Sequence, residues 1–145
     1  MAPTRIDTPR PGVWRNLLSR PGARNAIDTS VRSALDEALW EADEAPHIRA
    51  LILGGVGEFF CAGGDLPTMA NRSPEAASCH MRELYAIVTR LWSFPKSVVI
   101  ALEDAAVGAG AGLALLADYI VMGAEFAEGF VAFKEKRSPN YLTVN

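Results

Sequence analysis

The sequence predicts an α/β domain whose strands pair in parallel. Two apolar runs, IRALIL at residues 48–53 and SVVIAL at residues 97–102, have the length and the branched side chains of buried strands. Segments with helical periodicity lie before and between these runs, and YIVMG at residues 119–123 reads as a third strand. Strands that alternate with helices along a chain are typical of domains in which helices cover a mainly parallel sheet.

Length, charge and cysteine content limit the classes of protein to which the chain can belong. The 145 residues, half of them hydrophobic, fit one globular domain, which buries roughly two thirds of its unfolded surface. The formal net charge is −3 with both signs interspersed, so we expect no nucleic acid partner. Cys61 and Cys79 lack CxxC spacing and histidine-rich surroundings, which argues against a metal site or a disulfide framework.

Neither the start of the chain nor its longest uncharged segment predicts membrane targeting. The first residues, MAPTRIDTPRPG, contain no apolar stretch that could serve as a secretory signal. Residues 105–117 carry no charge, but the run is too short to span a membrane. We therefore expect no membrane association and a reducing, cytoplasmic location.

Two long helices have recognisable ends. The first is predicted to begin after Asp28, which suits the N-cap position, and to end before Pro46. Its apolar residues recur at helical spacing: Val31, Ala34, Leu35, Ala38, Leu39 and Ala42. The second opens with Ser73 as the cap and Pro74 at its first position, and it stops at Pro95. One face of this second helix is expected to carry Met81, Leu84, Tyr85, Val88, Leu91 and Trp92.

Two glycine-bearing loops occupy equivalent positions, each after a buried strand and before a helix. The first loop, CAGGD, covers residues 61–65, and the second loop, AAVGAGAG, covers residues 105–112 and leads into a short helix. Neither fits a dinucleotide-binding fingerprint or a GK[ST] phosphate loop, and the chain has no GxSxG elbow. Loops with so few side chains can instead direct backbone N–H groups at one point and hold an oxyanion. Close packing at the strand-to-helix turns is the alternative explanation.

Five segments that cover most of the chain form one recognisable series. They are RPGARNAID at residues 20–28, the predicted helix after it, LILGGVGEFFCAGGDL at residues 51–66, SVVIALEDAAVGAGAGLALLADYIVMGA at residues 97–124 and FVAFKEKRSPNY at residues 130–141. In this order they resemble the enoyl-CoA hydratase/isomerase family, also called the crotonase family. The resemblance implies a truncated crotonase-like fold, a spiral of strand-strand-helix units. Residues 1–124 would form the N-terminal part of the core, and residues 125–145 a C-terminal helix and tail.

The resemblance also implies a set of site residues. The backbone N–H groups of Ala62 and Ala109 would bind the thioester carbonyl oxygen of an acyl-CoA as it gains enolate charge. The family's adenine-binding stretch falls on Arg24, Asn25 and Ala26, and the CoA path would be lined by Gly63, Gly64, Asp65 and Leu66. Asp65 has a second interpretation, as a turn or helix cap. No separate cofactor is implied, because coenzyme A is part of the substrate.

The chain departs from the family pattern where proton transfer is concerned. Gly112 stands where family hydratases carry a glutamate that holds and activates water. After Ala124, on the order of a hundred residues of the family pattern, including the second acid/base residue, are expected to be absent through an internal deletion. The N-terminal hairpin also looks abbreviated, with VWRNLLS at residues 13–19 as its only clear remnant. Four other carboxylates are candidates for the missing proton transfer, although none stands at a catalytic position of the family: Glu103, Asp104, Glu125 and Glu128. His80 is expected to be solvated or half-buried rather than catalytic.

Two functional hypotheses from different classes follow. The first is an enzyme that acts on acyl-CoA thioesters, a hydratase or isomerase by resemblance. The second is a shortened, non-catalytic CoA-binding or oligomer-forming paralogue. A carboxylate near the thioester α carbon would separate them. The family forms trimers and hexamers, so the resemblance implies a homo-oligomer, and an aromatic stripe at Phe126, Phe130 and Phe133 on a C-terminal helix would contribute to it.

Overall fold

The sheet has a mixed but mainly parallel topology. The computed structural model describes residues 2–70, 73–123, 131, 132, 134–138 and 140. Within them one sheet runs in chain order through β1 (Thr4–Arg10), β2 (Val13–Leu18), β3 (Ala50–Gly55), β4 (Ser97–Leu102) and β5 (Tyr119–Met122). β1 and β2 pair antiparallel as a hairpin, and each later pair of neighbours is parallel. The predicted α/β class with parallel pairings is confirmed.

Helices form the connections between the parallel strands. They are α1 (Thr29–Glu44) between β2 and β3, α2 (Leu66–Met69) and α3 (Pro74–Trp92) between β3 and β4, and α4 (Ala109–Ala114) between β4 and β5. The Asp28 carboxylate accepts a hydrogen bond from the Val31 N–H at 2.8 Å and caps α1. The Ser73 hydroxyl likewise accepts from the Ala76 N–H and caps α3. Both caps were predicted from the sequence.

The core lies between one face of the sheet and the helices α1 and α3. Successive side chains of a strand point to opposite faces, so alternate residues of the central strands enter the core. These residues are Leu18, Leu51, Leu53, Val98, Ile100 and Leu102. From α1 the core receives Val31, Leu35 and Leu39, as the helical spacing predicted.

The N-terminal hairpin has two paired strands, which corrects the expectation that residues 13–19 are its only clear remnant. β1 pairs with β2 from Thr4 opposite Leu18 to Arg10 opposite Val13, with one irregularity between Asp7 and Arg10. β1 lies at the edge of the sheet, and most of its residues are exposed. An exposed edge strand carries charged and polar residues in place of an apolar alternation, so the pattern on which strand prediction relies is absent there.

β3 begins and ends two residues later than predicted. Its last residues, Gly54 and Gly55, lie beyond the predicted run and pair with Leu17 and Leu18 of β2. A Cβ on Gly55 would lie 2.1 Å from the carbonyl oxygen of Phe59, so no larger residue fits there. The glycines therefore extend the strand and allow the following chain to pack directly against it.

The buried face of α3 differs from the predicted one. The helix buries His80, Ile87 and Leu91, which are spaced by seven and then four residues. Met81, Tyr85 and Trp92 were expected on the apolar face, yet their side chains are 58, 71 and 78% exposed. His80 is likewise buried rather than solvated or half-buried, because it shares the face on which α3 packs against α1.

The C-terminal part of the chain is described only in places. Residues 131, 132, 134 and 135 are helical. The predicted boundary after Ala124, the aromatic stripe and the carboxylates Glu125 and Glu128 lie outside the described residues. No helix in the described part of the chain is long and apolar enough to cross a membrane.

Lys96 closes the C-terminal end of α1 from a distant part of the chain. Its ammonium group donates hydrogen bonds to the carbonyls of Asp43 at 2.7 Å and Ala45 at 2.8 Å, and to that of Ala42. The last carbonyls of a helix have no intrahelical partner, and they form the negative end of its dipole. Lys96 precedes β4 directly, so this contact joins the end of α1 to the start of a central strand.

Replacing Lys96 with methionine should destabilise the protein by about 1–3 kcal/mol, because methionine keeps most of the apolar stem but leaves partly buried carbonyls without a donor. Urea unfolding measures the free energy of unfolding of both proteins. The matched control is Lys134→Met, on an exposed helical residue, which should change stability by less than about 0.5 kcal/mol. Equal stability of Lys96→Met and the wild type would contradict the capping contribution of Lys96.

Candidate functional site

Three loop segments lie side by side at the carboxyl ends of the parallel strands. Residues 24–27 follow β2, residues 61–65 follow β3 and residues 103–109 follow β4. Isolated parallel bridges join Ile27 to Gly64 and Cys61 to Ala106, so residues 61–65 form the central segment. Loops that leave neighbouring parallel strands at the same edge of a sheet meet there. The structure thus brings the two glycine loops into contact.

The amide of Ala62 points away from the second loop. The Cys61 carbonyl accepts a hydrogen bond from the Val107 N–H at 3.0 Å, so this carbonyl faces the second loop. No cis peptide bond occurs in the described residues, and in a trans peptide the C=O and the following N–H point in opposite directions. The Ala62 N–H accordingly donates to the Arg24 carbonyl at 2.9 Å. This corrects the pairing of Ala62 with Ala109, because the Ala62 donor is already bonded on the other side.

Gly64 presents the amide that faces the second loop. The Gly63 carbonyl accepts from the Ile27 N–H at 2.7 Å, which turns the next N–H, that of Gly64, to the opposite side. Within the described residues the Gly64 N–H has no hydrogen-bond partner. Nothing in its residue type signals this donor, so sequence analysis missed it.

Gly63 reverses the direction of the amides along the central segment. Its φ is +93°, a conformation that side chains with a Cβ rarely adopt. A Cβ at this position would also lie 2.6 Å from the Val107 carbonyl oxygen and 3.5 Å from the Ala109 nitrogen. Glycine is therefore required both by the backbone conformation and by the close approach of the second loop.

Ala109 supplies a second unpaired amide. It is the first residue of α4, where an N–H has no intrahelical acceptor, and the described residues offer it no other partner. The preceding Gly108 has a φ of 52° and open space around its Cβ position. The unpaired N–H groups of Gly64 and Ala109 therefore lie on two loops that touch each other.

Cys61 and Gly110 pack the two loops together beneath these amides. A Cβ on Gly110 would lie 2.7 Å from both the Cβ and the carbonyl oxygen of Cys61. The Cys61 side chain is fully buried, and burial raises the pKa of its thiol although the Gly63 N–H donates to Sγ. A protonated, inaccessible thiol is a poor nucleophile, so Cys61 acts here as a small packing residue.

The predicted adenine-binding stretch contains one exposed residue and two buried ones. Asn25 is fully buried: its Oδ1 accepts from the Arg20 N–H, and its Nδ2 donates to the Val56 and Phe59 carbonyls at 3.1 and 2.7 Å. Ala26 is also buried. The Arg24 guanidinium is exposed and lies 5.0 Å from the centroid of the Phe59 ring. Arg24 also lines a cavity of about 250 Å³ beside this stretch.

Asp65 is the N-cap of α2, which confirms the second of its two interpretations. Its Oδ2 accepts from the Thr68 N–H at 3.3 Å, and its Oδ1 lies 3.1 Å from the Arg20 guanidinium. The side chain is nearly buried, and both of its oxygens already have partners. The next residue, Leu66, is 75% exposed.

Gly112 leaves room where a family glutamate would stand. Outside the backbone of its own helix, no atom lies within 4 Å of the position of its Cβ, so the first atom of a side chain would meet open space. Glu103 and Asp104 line a different cavity of about 770 Å³, together with Arg15, Leu17 and other residues but none of residues 61–65 or 109–112. Neither carboxylate therefore shares this cavity with a residue of the two glycine loops. Among the described residues no group of three or more His, Cys, Asp or Glu is placed to hold a metal ion.

The comparison with known proteins identifies the family. Residues 10–127 match the enoyl-CoA hydratase/isomerase family. The chain is 36% identical over 130 residues to 1,2-epoxyphenylacetyl-CoA isomerase of Escherichia coli (strain K12). The aligned region covers 86% of this chain and 48% of that protein. It is 33% identical over 120 residues to a putative enoyl-CoA hydratase of Thermus thermophilus. This aligned region covers 81% of this chain and 47% of that protein. The chain belongs to the enoyl-CoA hydratase/isomerase family.

Solved structures agree on the fold. An enoyl-CoA hydratase from Bacillus anthracis matches with a TM-score of 0.79 at 26% identity, over 83% of this chain and 47% of that chain. An enoyl-CoA hydratase from Polaromonas sp. JS666 matches with a TM-score of 0.79 at 30% identity, over 94% of this chain and 54% of that chain. The predicted crotonase-like fold is thereby confirmed. The chain spans about half the length of these relatives.

Replacing Asp28 with asparagine should remove an acid-sensitive part of the stability. Burial raises the pKa of Asp28, but hydrogen bonds from Val31 and Ser30 and the charge of Arg20 together lower it below its ordinary value. A carboxyl whose pKa is lower in the folded state stabilises the protein above its unfolded pKa, near 4. This contribution is lost as the pH falls through the folded pKa.

Asparagine keeps the N-cap acceptor, so the difference in free energy of unfolding between wild type and Asp28→Asn should be largest near pH 7 and shrink toward about pH 3. Urea unfolding at both pH values measures it. A difference that stays constant over this range would show that the charge of Asp28 does not contribute.

Proposed function

We propose that the chain binds acyl-CoA thioesters and stabilises the thioester enolate through the backbone N–H groups of Gly64 and Ala109. The observation that carries the proposal is that both amides are unpaired among the described residues and lie on loops that touch each other. A proton next to a thioester is only weakly acidic, so its removal requires stabilisation of the oxyanion. In comparable sites the loss of one such donor costs roughly 3 kcal/mol.

The rest of the ligand would follow the surface beside the first loop. Arg24 is exposed and positively charged, which suits the adenine and phosphate end of coenzyme A. Exposed Leu66, next to the Asp65 cap, would face the apolar part of the ligand. The name of the Escherichia coli relative, an acyl-CoA isomerase, supports a CoA thioester as the ligand class. Coenzyme A would enter as part of this ligand.

A non-catalytic, CoA-binding role is the second candidate, and the carboxylates favour it. Gly112 offers none, Asp65 is occupied as a cap, and Glu103 and Asp104 line another cavity. An oxyanion hole without a positioned acid or base polarises a thioester but loses roughly 10²–10⁴-fold in rate. We propose that this chain retains thioester binding and that hydratase or isomerase turnover is slow.

The proposal also includes the cellular location and the quaternary structure of the protein. A reducing, cytoplasmic location stays a prediction from the spacing of the two cysteines. A homo-oligomer, trimeric or hexameric as the resemblance implies, remains our expectation for the quaternary structure. Light scattering on the purified chain measures it directly.

Titration calorimetry with acetoacetyl-CoA should show saturable binding to the wild type. Ala109→Pro should weaken it roughly tenfold, because it removes one donor worth about 1.4 kcal/mol, while proline is tolerated at the first position of α4. Ala109→Gly is the matched control, since it removes the methyl group but keeps the N–H. Absence of binding by the wild type at about millimolar ligand would overturn the proposal.

Hydration of crotonyl-CoA should proceed far below the usual enzyme range of roughly 1–10³ per second, because Gly112 offers no carboxylate at the position where family hydratases activate water. The loss of enoyl absorbance follows the reaction. Gly112→Glu should not restore the rate, although open space surrounds the Cβ position, because catalytic groups that act as a unit do not contribute separately. Turnover in the usual range by the wild type would favour the enzymatic hypothesis.

A further inference from the structure

Arg20 connects two carboxylates that belong to different loops. Its Nη1 lies 3.1 Å from Oδ1 of Asp65 and 3.3 Å from Oδ2 of Asp28, and it donates to the Ala26 carbonyl at 2.8 Å. All three side chains are largely shielded from water, with exposed fractions of 27, 9 and 17% for Arg20, Asp65 and Asp28. Ion pairs with good geometry and limited solvent access are the ones that hold groups in place.

Each of the two carboxylates divides its oxygens between a helix and Arg20. Asp28 uses Oδ1 to accept from the Val31 N–H at the start of α1, and Asp65 uses Oδ2 to accept from the Thr68 N–H at the start of α2. The remaining oxygen of each carboxylate faces the guanidinium. Arg20 therefore fixes the first turn of α2 relative to the first turn of α1.

The same contact fixes the peptide that carries the Gly64 N–H. Asp65 follows Gly64 directly, and its own N–H donates to the Ile27 carbonyl at 3.1 Å. Ile27 in turn donates to the Gly63 carbonyl, so one residue holds the carbonyl of the 63–64 peptide and the N–H of the following peptide. Arg20 binds the chain immediately before Ile27, at the Ala26 carbonyl, and the side chain immediately after Gly64.

We propose that Arg20 is a positioning residue that keeps the Gly64 N–H directed at the thioester carbonyl; its part in ligand polarisation rests on the proposed function. Without the guanidinium, two like-charged carboxylates face each other across the space it occupied, and like charges at short range repel. Asp65 is then expected to move away and to rotate the Gly64 peptide with it. The ligand would still bind, but its carbonyl would meet one donor instead of two.

Hydrogen exchange measured by NMR tests the positioning without any ligand. In Arg20→Met the amides of Ile27 and Asp65 should exchange roughly tenfold faster, the factor that corresponds to losing one charge-assisted hydrogen bond. Amides of the central strand β3, such as Leu53, should keep their wild-type rates. The matched control is Arg15→Met, which removes an exposed ion pair with Asp7 in the hairpin and should leave the loop amides unchanged.

A conjugated dienoyl-CoA provides the second readout, because polarisation of its carbonyl shifts its absorbance to longer wavelength. At saturation Arg20→Met should show less than about half of the wild-type shift per bound ligand, with a dissociation constant raised by no more than about threefold. A merely destabilised variant would bind less ligand but keep the full shift per bound molecule. Arg20→Met combined with Asp65→Asn should recover part of the shift, since asparagine still caps α2 without the repelling charge.

The two readouts separate the inference from the proposed function. If the wild type shows neither binding nor a shift, the proposed function is wrong, and the exchange rates alone decide whether Arg20 positions the loop. If the wild type binds with a shift and Arg20→Met keeps both that shift and the wild-type exchange at Ile27 and Asp65, Arg20 has no positioning effect.

Discussion

The left-handed conformation of Gly63 is the constraint on which the candidate site depends. In an extended segment every second N–H points to the same side. Without the turn at Gly63, the Gly64 N–H would therefore face residues 24–27, as the Ala62 N–H does. The turn at Gly63 sends it to the second loop instead. A side chain on residue 63 would also clash with the Val107 carbonyl. Both the backbone conformation and the packing therefore require glycine at this position.

The surrounding structure serves to keep this segment in place. Parallel pairing of β2, β3 and β4 brings three loops to one edge of the sheet, and backbone hydrogen bonds from both sides hold the central one. Cys61 fills the space beneath this segment. At the end of the segment, Arg20 pairs with the carboxylates of the two helix caps Asp28 and Asp65. Hydrogen bonds and close packing thus hold the segments that carry the two unpaired amides, and an oxyanion hole stabilises charge best when its donors are fixed in advance.

Binding and proton transfer depend on different parts of such a site. The donors are backbone groups, so they survive as long as the loops keep their conformation. Proton transfer needs a carboxylate at a defined distance, and Gly112 offers no side chain at the corresponding place. The proposed donors can therefore be present without the groups that transfer protons, in a chain that spans about half the length of its relatives.

The sequence by itself determined the order of α1, β3, α3, β4, α4 and β5, the caps Asp28 and Ser73, the buried stripe of α1 and the family. These signals are local: periodicity, capping residues and motif order are written in neighbouring positions. Only the tertiary structure decided that β1 completes a hairpin, that His80 is buried, that Asp65 is a cap and that Gly64 rather than Ala62 presents its amide. The direction of an N–H depends on hydrogen bonds between segments far apart in the chain, and residue type does not record it.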